Sequence, residues 1–272
     1  WARDAVTDFS RGNANEALTA YAERSLLSVS PDRKAAYGEL VKAWSEQGIR
    51  APEEQLIFAG TRLDAAILNR LVQQKRREAG ALEKESVPAP EGGDSFHVGD
   101  RVMFTKKSRP HGVDNGDLGT VVAIDLEKGT LAARLDGSDE RVTVQLENYP
   151  HVRLGYAMTT HKGQGVTIER SFVLVGGLMQ NQESTYVQAS RARGETRLFA
   201  DQDTAGEDLT RLVEQMSKSR PKEMAHVVQA RATQATQKQS RQQTPVPSVP
   251  SLPPPLPEPD RTQRRAPQTP SF

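Results

Sequence analysis

Two short stretches concentrate the side chains that could do chemistry. In the first, Gly155-Tyr156-Ala157-Met158-Thr159-Thr160-His161-Lys162-Gly163-Gln164-Gly165, two hydroxyls, an imidazole, an ammonium and an amide lie among glycines. Glycines let backbone N–H groups approach phosphate oxygens closely, and Thr and Lys side chains add further donors. The chemistry this suits is the binding of phosphate groups. In the second, Tyr186-Val187-Gln188-Ala189-Ser190-Arg191-Ala192-Arg193-Gly194, two guanidinium groups follow a short apolar face. A planar guanidinium there can clamp a transferring phosphoryl group. Each stretch also has a plain structural reading. The first could be an ordinary polar connection, and the second could be cations placed against the negative end of a helix dipole.

The elements that must position these residues follow from periodicity. Leu154 to Met158 reads as a strand delivering Thr159 and its neighbours to a carboxyl edge, where open α/β sheets bind ligands. Ser171 to Val175 and Thr196 to Ala200 read as further strands, with a helix over Glu183 to Ala192 between them. Upstream, Ala5, Val6, Phe9, Ala17, Leu18 and Tyr21 fall at helical spacing, interrupted by Gly12-Asn13. Ser25 to Val29 is a strand candidate. Ser30-Pro31-Asp32 opens a helix that is expected to stop at Gly48. Gln55 to Ala59, Gly60-Thr61-Arg62 and a helix carrying Ala65, Leu68 and Val72 repeat the strand–turn–helix unit of a parallel sheet.

Between these α/β segments the period changes to two. Glu85 to Asp94 reads as a linker. Arg101 to Phe104, Gly119 to Asp125, Thr130 to Leu135 and Arg141 to Leu146 then read as four strands, joined through Asn115-Gly116, Lys128-Gly129 and Asp136-Gly137 turns. This pattern predicts a small SH3-like β-barrel inserted in one α/β domain. The expected fold is therefore α/β, a parallel sheet interrupted by the barrel. Its parts are 1–90 and 151–203 for the sheet domain, 95–150 for the insert and 204–220 for a helix. A Pro-rich tail at 221–272, with ten of the 17 prolines between Pro245 and Pro270, is expected to be disordered because it cannot bury enough surface to offset chain entropy.

Composition bounds the rest. The 272 residues carry a formal net charge of only +1, so any polyanion surface must come from local arrangement of basic residues. The absence of cysteine excludes disulfides, thiolate metal sites and thiol nucleophiles. No apolar run is long enough to span a bilayer and no leader pattern opens the chain, so it reads as soluble and cytoplasmic, without a membrane partner. Because residue 1 is Trp, the chain is expected to be processed or a fragment of something longer.

Together the two stretches resemble motifs V and VI of superfamily 1 helicases, and within these the RecD-like branch. The nearest pattern is the helicase half of conjugative relaxases of the MobF or TraA type. The resemblance also takes in Trp1 to Phe9, the Leu56 to Asn69 strand–helix and the Gly99-Asp100-Arg101-Val102-Met103-Phe104 entry to the insert, covering roughly 1–201. It implies a RecA-like second motor domain. Thr159, Thr160, His161 and Lys162 then match the motif V stretch that contacts single-stranded DNA, and Thr61 and Arg62 match a second backbone-contacting loop that Asn69 braces. Gln164, Gly165 and Thr167, the last where many members carry an acid, match the side facing nucleotide. Arg191 matches the catalytic arginine finger, with Arg193 accessory to it. Lys106 and Lys107, with Arg109 and His111, form a basic loop on the insert suited to DNA phosphates.

What is absent from the sequence shapes the expectation further. A helicase needs a phosphate loop ending in Gly-Lys-Ser/Thr and an acid for magnesium. The sequence contains no Gly-Lys dipeptide, and its one Asp-Glu pair, Asp139-Glu140, falls in a hairpin turn. No metal ligand set is expected. ATP and Mg2+ are expected only in a complete two-domain helicase, so the isolated chain is expected to be inactive. The leading reading is the C-terminal part of a conjugative relaxase-helicase working on single-stranded plasmid DNA, with the missing N-terminal helicase and relaxase portion as partner. Two others are a non-enzymatic DNA-binding module and an adaptor whose Pro-rich tail recruits conjugation machinery proteins.

Overall fold

The computed structural model describes residues 1–90, 94–163 and 165–220, all within the first of the two units into which the chain divides, Trp1–Pro221. The expectations placed on Gln164 and on the tail 221–272 lie outside the described residues. In chain order the first half comprises α1 (Ala2–Arg11), α2 (Ala14–Ala22), β1 (Leu27–Ser30), α3 (Arg33–Gly48), β2 (Gln55–Ala59) and α4 (Arg62–Glu78). The middle comprises β3 (Ser86–Pro88), β4 (Ser95–His97), β5 (Arg101–Phe104), β6 (Leu118–Asp125), β7 (Thr130–Leu135), β8 (Arg141–Gln145) and β9 (Val152–Leu154). The remainder comprises β10 (Ala157–Thr159), β11 (Ile168–Leu174), α5 (Gln182–Ala189), β12 (Ala192–Asp201), α6 (Gln202–Ala205) and α7 (Thr210–Ser217).

Five strands form a parallel sheet in the order β1-β12-β11-β2-β10. Every residue of β2 is buried, which is why this strand reads as a continuous apolar run and not as an alternation. Ile57, Ala59, Phe172, Leu174 and Phe199 join α3 and α4 in one core layer. Leu56, Phe58, Val173, Leu198 and Ala200 join α1, α2, α5 and α7 in the other. The sheet is thus covered on both faces, and apolar side chains of neighbouring positions along each strand are divided between the two layers.

The insert is a five-stranded antiparallel sheet in the order β8-β7-β6-β5-β9, preceded by a β3–β4 hairpin. Its first four strands are the four read from the alternating pattern. The fifth, β9, corrects the sequence reading, which made Leu154 to Met158 a single strand. Val152–Leu154 pairs with β5, whereas Ala157–Thr159 pairs with β2 in the parallel sheet. Gly155 makes the switch possible. A Cβ there would lie 2.7 Å from the backbone of Val102, and its N–H donates to the Arg101 carbonyl at 2.8 Å. The chain leaves one sheet and enters the other at a point where only glycine fits.

Other boundaries also move. Asp32, not Ser30, caps α3, its carboxylate accepting from the Ala35 N–H at 2.8 Å. Gly48 is the last residue of α3, as expected, but it does not take a left-handed conformation. It lies inside the last turn, where a Cβ would meet the Trp44 ring at 2.5 Å. The linker contains β3, because Val87 is buried against the insert. The region 204–220 is not one helix. Asp208 and Leu209 take positive φ and break α6 from α7. Among the described residues no helix is long and apolar enough to cross a membrane.

Candidate functional site

The strand register divides the first chemical stretch between the two ends of the sheet. Thr159 pairs with Ala59, the last residue of β2, while Arg170 of β11 pairs with Gln55, the first. The connection 160–167 therefore runs back along the length of β2, about 13 Å at ~3.3 Å per residue. No helix makes the crossing. Gly163 passes against the fully buried Phe58, where a Cβ would fall 2.2 Å from the ring. Gly163→Ala is accordingly expected to destabilise the protein by roughly 1–3 kcal/mol through overpacking, read as a lowered thermal midpoint. An unchanged midpoint would show that this connection does not press on the ring.

At the strand-finishing end, Arg62, Thr159 and Lys162 line one cavity of about 450 Å³ between α4, β10 and the insert. Burial lowers the Lys162 pKa below the usual lysine value, and Arg62 and Arg153 push it further in the same direction. Thr61 sits beside them as the N-cap of α4. Its hydroxyl accepts from the Asp64 N–H at 3.0 Å and donates to the Asp64 carboxylate at 2.7 Å. Asp64 in turn accepts from Tyr37 at 2.6 Å and pairs with Arg33 at 3.2 Å, and Arg33 also reaches Asp201 at 3.1 Å. Burial raises the Asp64 pKa, but the bonds from Tyr37 and Thr61 and the charge of Arg33 outweigh it, and the net shift is downward. His161 is exposed in the turn. Thr160 is buried and accepts from Gln188 at 2.7 Å, tying the turn to α5.

At the strand-starting end lie Gly165, Thr167, Arg191 and Arg193. Gly165, with φ of 92°, and Thr167 are exposed and line a cavity of about 950 Å³ shared with Arg50 and with Asp136 and Asp139 of the insert. The carbonyl of Arg191 accepts from the Ile168 N–H at 3.1 Å, which ties the second stretch to the start of β11, just beyond the first. Helix α5 ends at Ala189, three residues earlier than its sequence reading, so Arg191 lies in the turn and Arg193 at the exposed start of β12. The Arg191 guanidinium folds back. Its Nε donates to the Val187 carbonyl at 3.1 Å and its Nη2 to the Ser190 hydroxyl at 2.8 Å.

Two buried polar side chains hold the strand-finishing end in place. Asn69 accepts from the N–H groups of both Tyr156 and Ala157 at 2.9 Å and donates to the Ala157 carbonyl at 2.9 Å. It braces β10 and not the Thr61–Arg62 turn for which the resemblance cast it. Asp100, fully buried at the insert's entry, accepts from the Tyr156 hydroxyl at 2.6 Å, from Gln73 at 2.7 Å and from the His97 N–H at 2.8 Å. Arg76 adds bonds to the Gly99 carbonyl at 2.6 Å and the Tyr156 hydroxyl at 3.0 Å. Burial raises the Asp100 pKa, against the opposing pull of the bonds from Tyr156, His97 and Gln73.

Lys106 and Lys107 are exposed on the insert, outside the cavity that Arg62 and Lys162 line. Lys107 pairs with Asp114, and the Lys106 carbonyl accepts from Tyr149. Arg153, Ala65 and Met103 do line that cavity, and none of them was expected from sequence to be a site residue. They come from a strand of the insert, a helix face and another insert strand, and no spacing in the chain announces their meeting. Among the described residues no cluster of His, Cys, Asp or Glu could hold a metal ion.

The conjugal transfer protein TraA of Agrobacterium fabrum is 31% identical over 202 residues, 73% of this chain. Over this stretch the chain is a homologue of the TraA conjugal transfer proteins. The multifunctional conjugation protein TraI of Escherichia coli is 33% identical over 111 residues, covering 38% of this chain and 6% of TraI. The matched stretch spans only 18% of the length of the TraA protein. No protein-family model matches. Among solved structures, Pif1 helicase from Candida albicans is similar at a TM-score of 0.45 and 14% identity, covering 87% of this chain and 58% of that one.

Proposed function

We propose that this chain is the second, RecA-like motor domain of a conjugative relaxase-helicase, translocating on single-stranded DNA by ATP hydrolysis. In this reading residues 1–90 and 151–203 form the motor domain, 95–150 form an SH3-like insert, and 204–220 pack as a terminal helical segment. The observation that carries it is the division of the motif residues between opposite ends of one sheet. Thr159, Lys162, Arg62 and Thr61 gather where the strands finish, suited to a DNA backbone. Gly165, Thr167 and Arg191 gather where strands begin, suited to nucleotide phosphates. One connection without a helix joins the two groups, so a change at either end has a short route to the other.

The roles follow from this placement. Lys162 and Arg62 neutralise DNA phosphates, and Thr159 positions the strand. Thr160 acts through its bond to Gln188 and not by touching DNA. Arg191 is the arginine finger, acting on ATP·Mg2+ held by a Walker-bearing domain elsewhere in the parent protein. To reach a phosphate it must exchange the Val187 carbonyl and Ser190 hydroxyl for the charged oxygens. Positioning of this kind contributes only when both halves of the cleft are present.

A two-part assay tests the proposal. The chain alone should bind single-stranded DNA in a salt-sensitive, sequence-independent way and show no DNA-stimulated ATP hydrolysis. Joined to the Walker-bearing portion of its parent or of a TraA homologue, it should support hydrolysis, and Arg191→Ala should lower kcat by roughly 10³-fold or more. Turnover by the chain alone that Arg191→Ala abolishes, or hydrolysis by the joined protein indifferent to that substitution, would sink the proposal. The folded-back Arg191 also favours a second reading, a DNA-binding module without motor activity. DNA binding by a joined protein that still hydrolyses no ATP would establish that alternative.

A further inference from the structure

The cavity at the strand-finishing end has a composition that phosphate binding does not use. Its rim carries Arg62, Arg153 and Lys162, but its floor is apolar: Ala65, Met103, Leu154, Ala157 and Met158, all buried. Three polar side chains of its wall are already engaged. The Asn69 amide is spent on the backbone of Tyr156 and Ala157. The Thr105 hydroxyl donates to the His151 carbonyl at 3.1 Å. The Asp94 carboxylate at the edge takes the Arg70 Nε at 2.6 Å. Arg153 donates to the Pro150 and Val152 carbonyls at 3.1 and 2.8 Å, which fixes its stem beside the opening.

A ligand matched to this site has a flat, weakly hydrated body and an anionic group attached to it. A nucleotide is built this way, and a volume of about 450 Å³ lies within the ~300–1,000 Å³ range of small-ligand sites. Resting on the DNA-binding reading above, we propose that this cavity receives one nucleotide turned out of a single strand. Its base rests on the Ala65–Met103–Met158 floor and its phosphates lie against Arg62, Arg153 and Lys162. With the Asn69, Thr105 and Asp94 side chains already bonded, the wall offers little to distinguish one base from another, as a sequence-independent translocator requires. The insert thereby acquires a role in the DNA track, since Met103, Leu154 and Arg153 all belong to it.

This is separable from backbone binding. Fluorescence anisotropy of the full chain is measured with a labelled oligothymidylate and with an abasic strand of equal length and charge. The oligothymidylate should bind about tenfold more tightly. Ala66→Phe, which places a ring at the half-buried mouth of the cavity on α4, should erase that difference while leaving affinity for the abasic strand within about twofold. Basic residues elsewhere, the tail included, act equally on both strands and drop out of the comparison. Free thymidine monophosphate, lacking neighbouring phosphates, should compete only at millimolar concentration. Equal affinity of the unsubstituted chain for both strands overturns the nucleotide pocket while leaving DNA binding standing, and that comparison does not depend on the variant folding. Failure to bind either strand overturns the DNA-binding reading itself. Competition by free thymidine monophosphate as strong as that of the oligomer overturns the assignment to a strand.

Discussion

Asn69→Ala is expected to cost about 3–5 kcal/mol of unfolding free energy, a large fraction of the ~5–15 kcal/mol available to an ordinary domain. The side chain satisfies two backbone donors and one backbone acceptor at Tyr156 and Ala157, and it is 7% exposed, so water does not replace it cheaply. Alanine leaves three buried backbone groups without partners, each costing roughly 1–3 kcal/mol before relaxation. Asn69→Asp keeps an acceptor for the two N–H groups but loses the donor and buries a charge, so it should recover only part of the loss. Urea denaturation of the three proteins with a common m-value is the measurement. A loss below about 1 kcal/mol for the alanine variant would show that β10 is held by its sheet pairing and not by this amide.

Asp100→Ala is the second large effect, expected at about 3–5 kcal/mol. It takes the acceptor away from the Tyr156 hydroxyl, from the His97 N–H and from one N–H of the Gln73 amide, whose other bond to the Ser95 carbonyl remains, in a site from which water is excluded. Asp100→Asn retains one acceptor and removes the burial penalty on charge, so it should cost much less. Linkage gives this comparison a direction in pH. Burial raises the folded-state pKa of Asp100, so the native state holds its proton more tightly than the unfolded chain. The stability this contributes is fully present below the ordinary carboxylate value of ~3.9 and is lost as pH rises through the folded value. Wild-type stability relative to Asp100→Asn should therefore decline as pH rises, and a difference that instead grows in favour of the wild type would contradict the sign of the shift. Because Asn69 holds the backbone of Tyr156 and Asp100 its hydroxyl, the two alanine variants should also couple, by about 0.5–3 kcal/mol in a double-mutant cycle.

Much of this architecture was legible because local rules and the tertiary fold agree. The apolar run of β2, the turn glycines of the insert and the Gly12 break between α1 and α2 all follow from positions whose neighbours in sequence are also their neighbours in space. Where the reading slipped, a distant partner decided the outcome. Leu154 and Met158 look like one strand until Val102 approaches Gly155 and divides them between sheets. Gly48 does end α3, but the need for glycine there comes from the Trp44 ring, which occupies the space a side chain would need. The site shows the same division. Arg62, Thr159 and Lys162 were singled out from their motifs, but Arg153 and Met103 enter the same cavity from strands of the insert. Thr160 and Gln188 are polar and sit among motif residues, yet both are buried and bond to each other. A sequence shows the residue types but not that these two satisfy one another.

The parallel sheet ends on both sides in its two shortest strands, β10 with three residues and β1 with four, while its interior strands have five, seven and ten. An exposed strand edge recruits other chains in proportion to the length of unpaired backbone it offers. Three or four residues offer too little to template a stable ladder. The outer strand β8 of the insert is protected differently, by Arg141, Thr143 and Gln145 exposed at alternate positions. Neither sheet therefore offers a long, flat, apolar border to a second molecule. These strand edges should resist lateral pairing with a second copy at the concentrations that binding and denaturation experiments require.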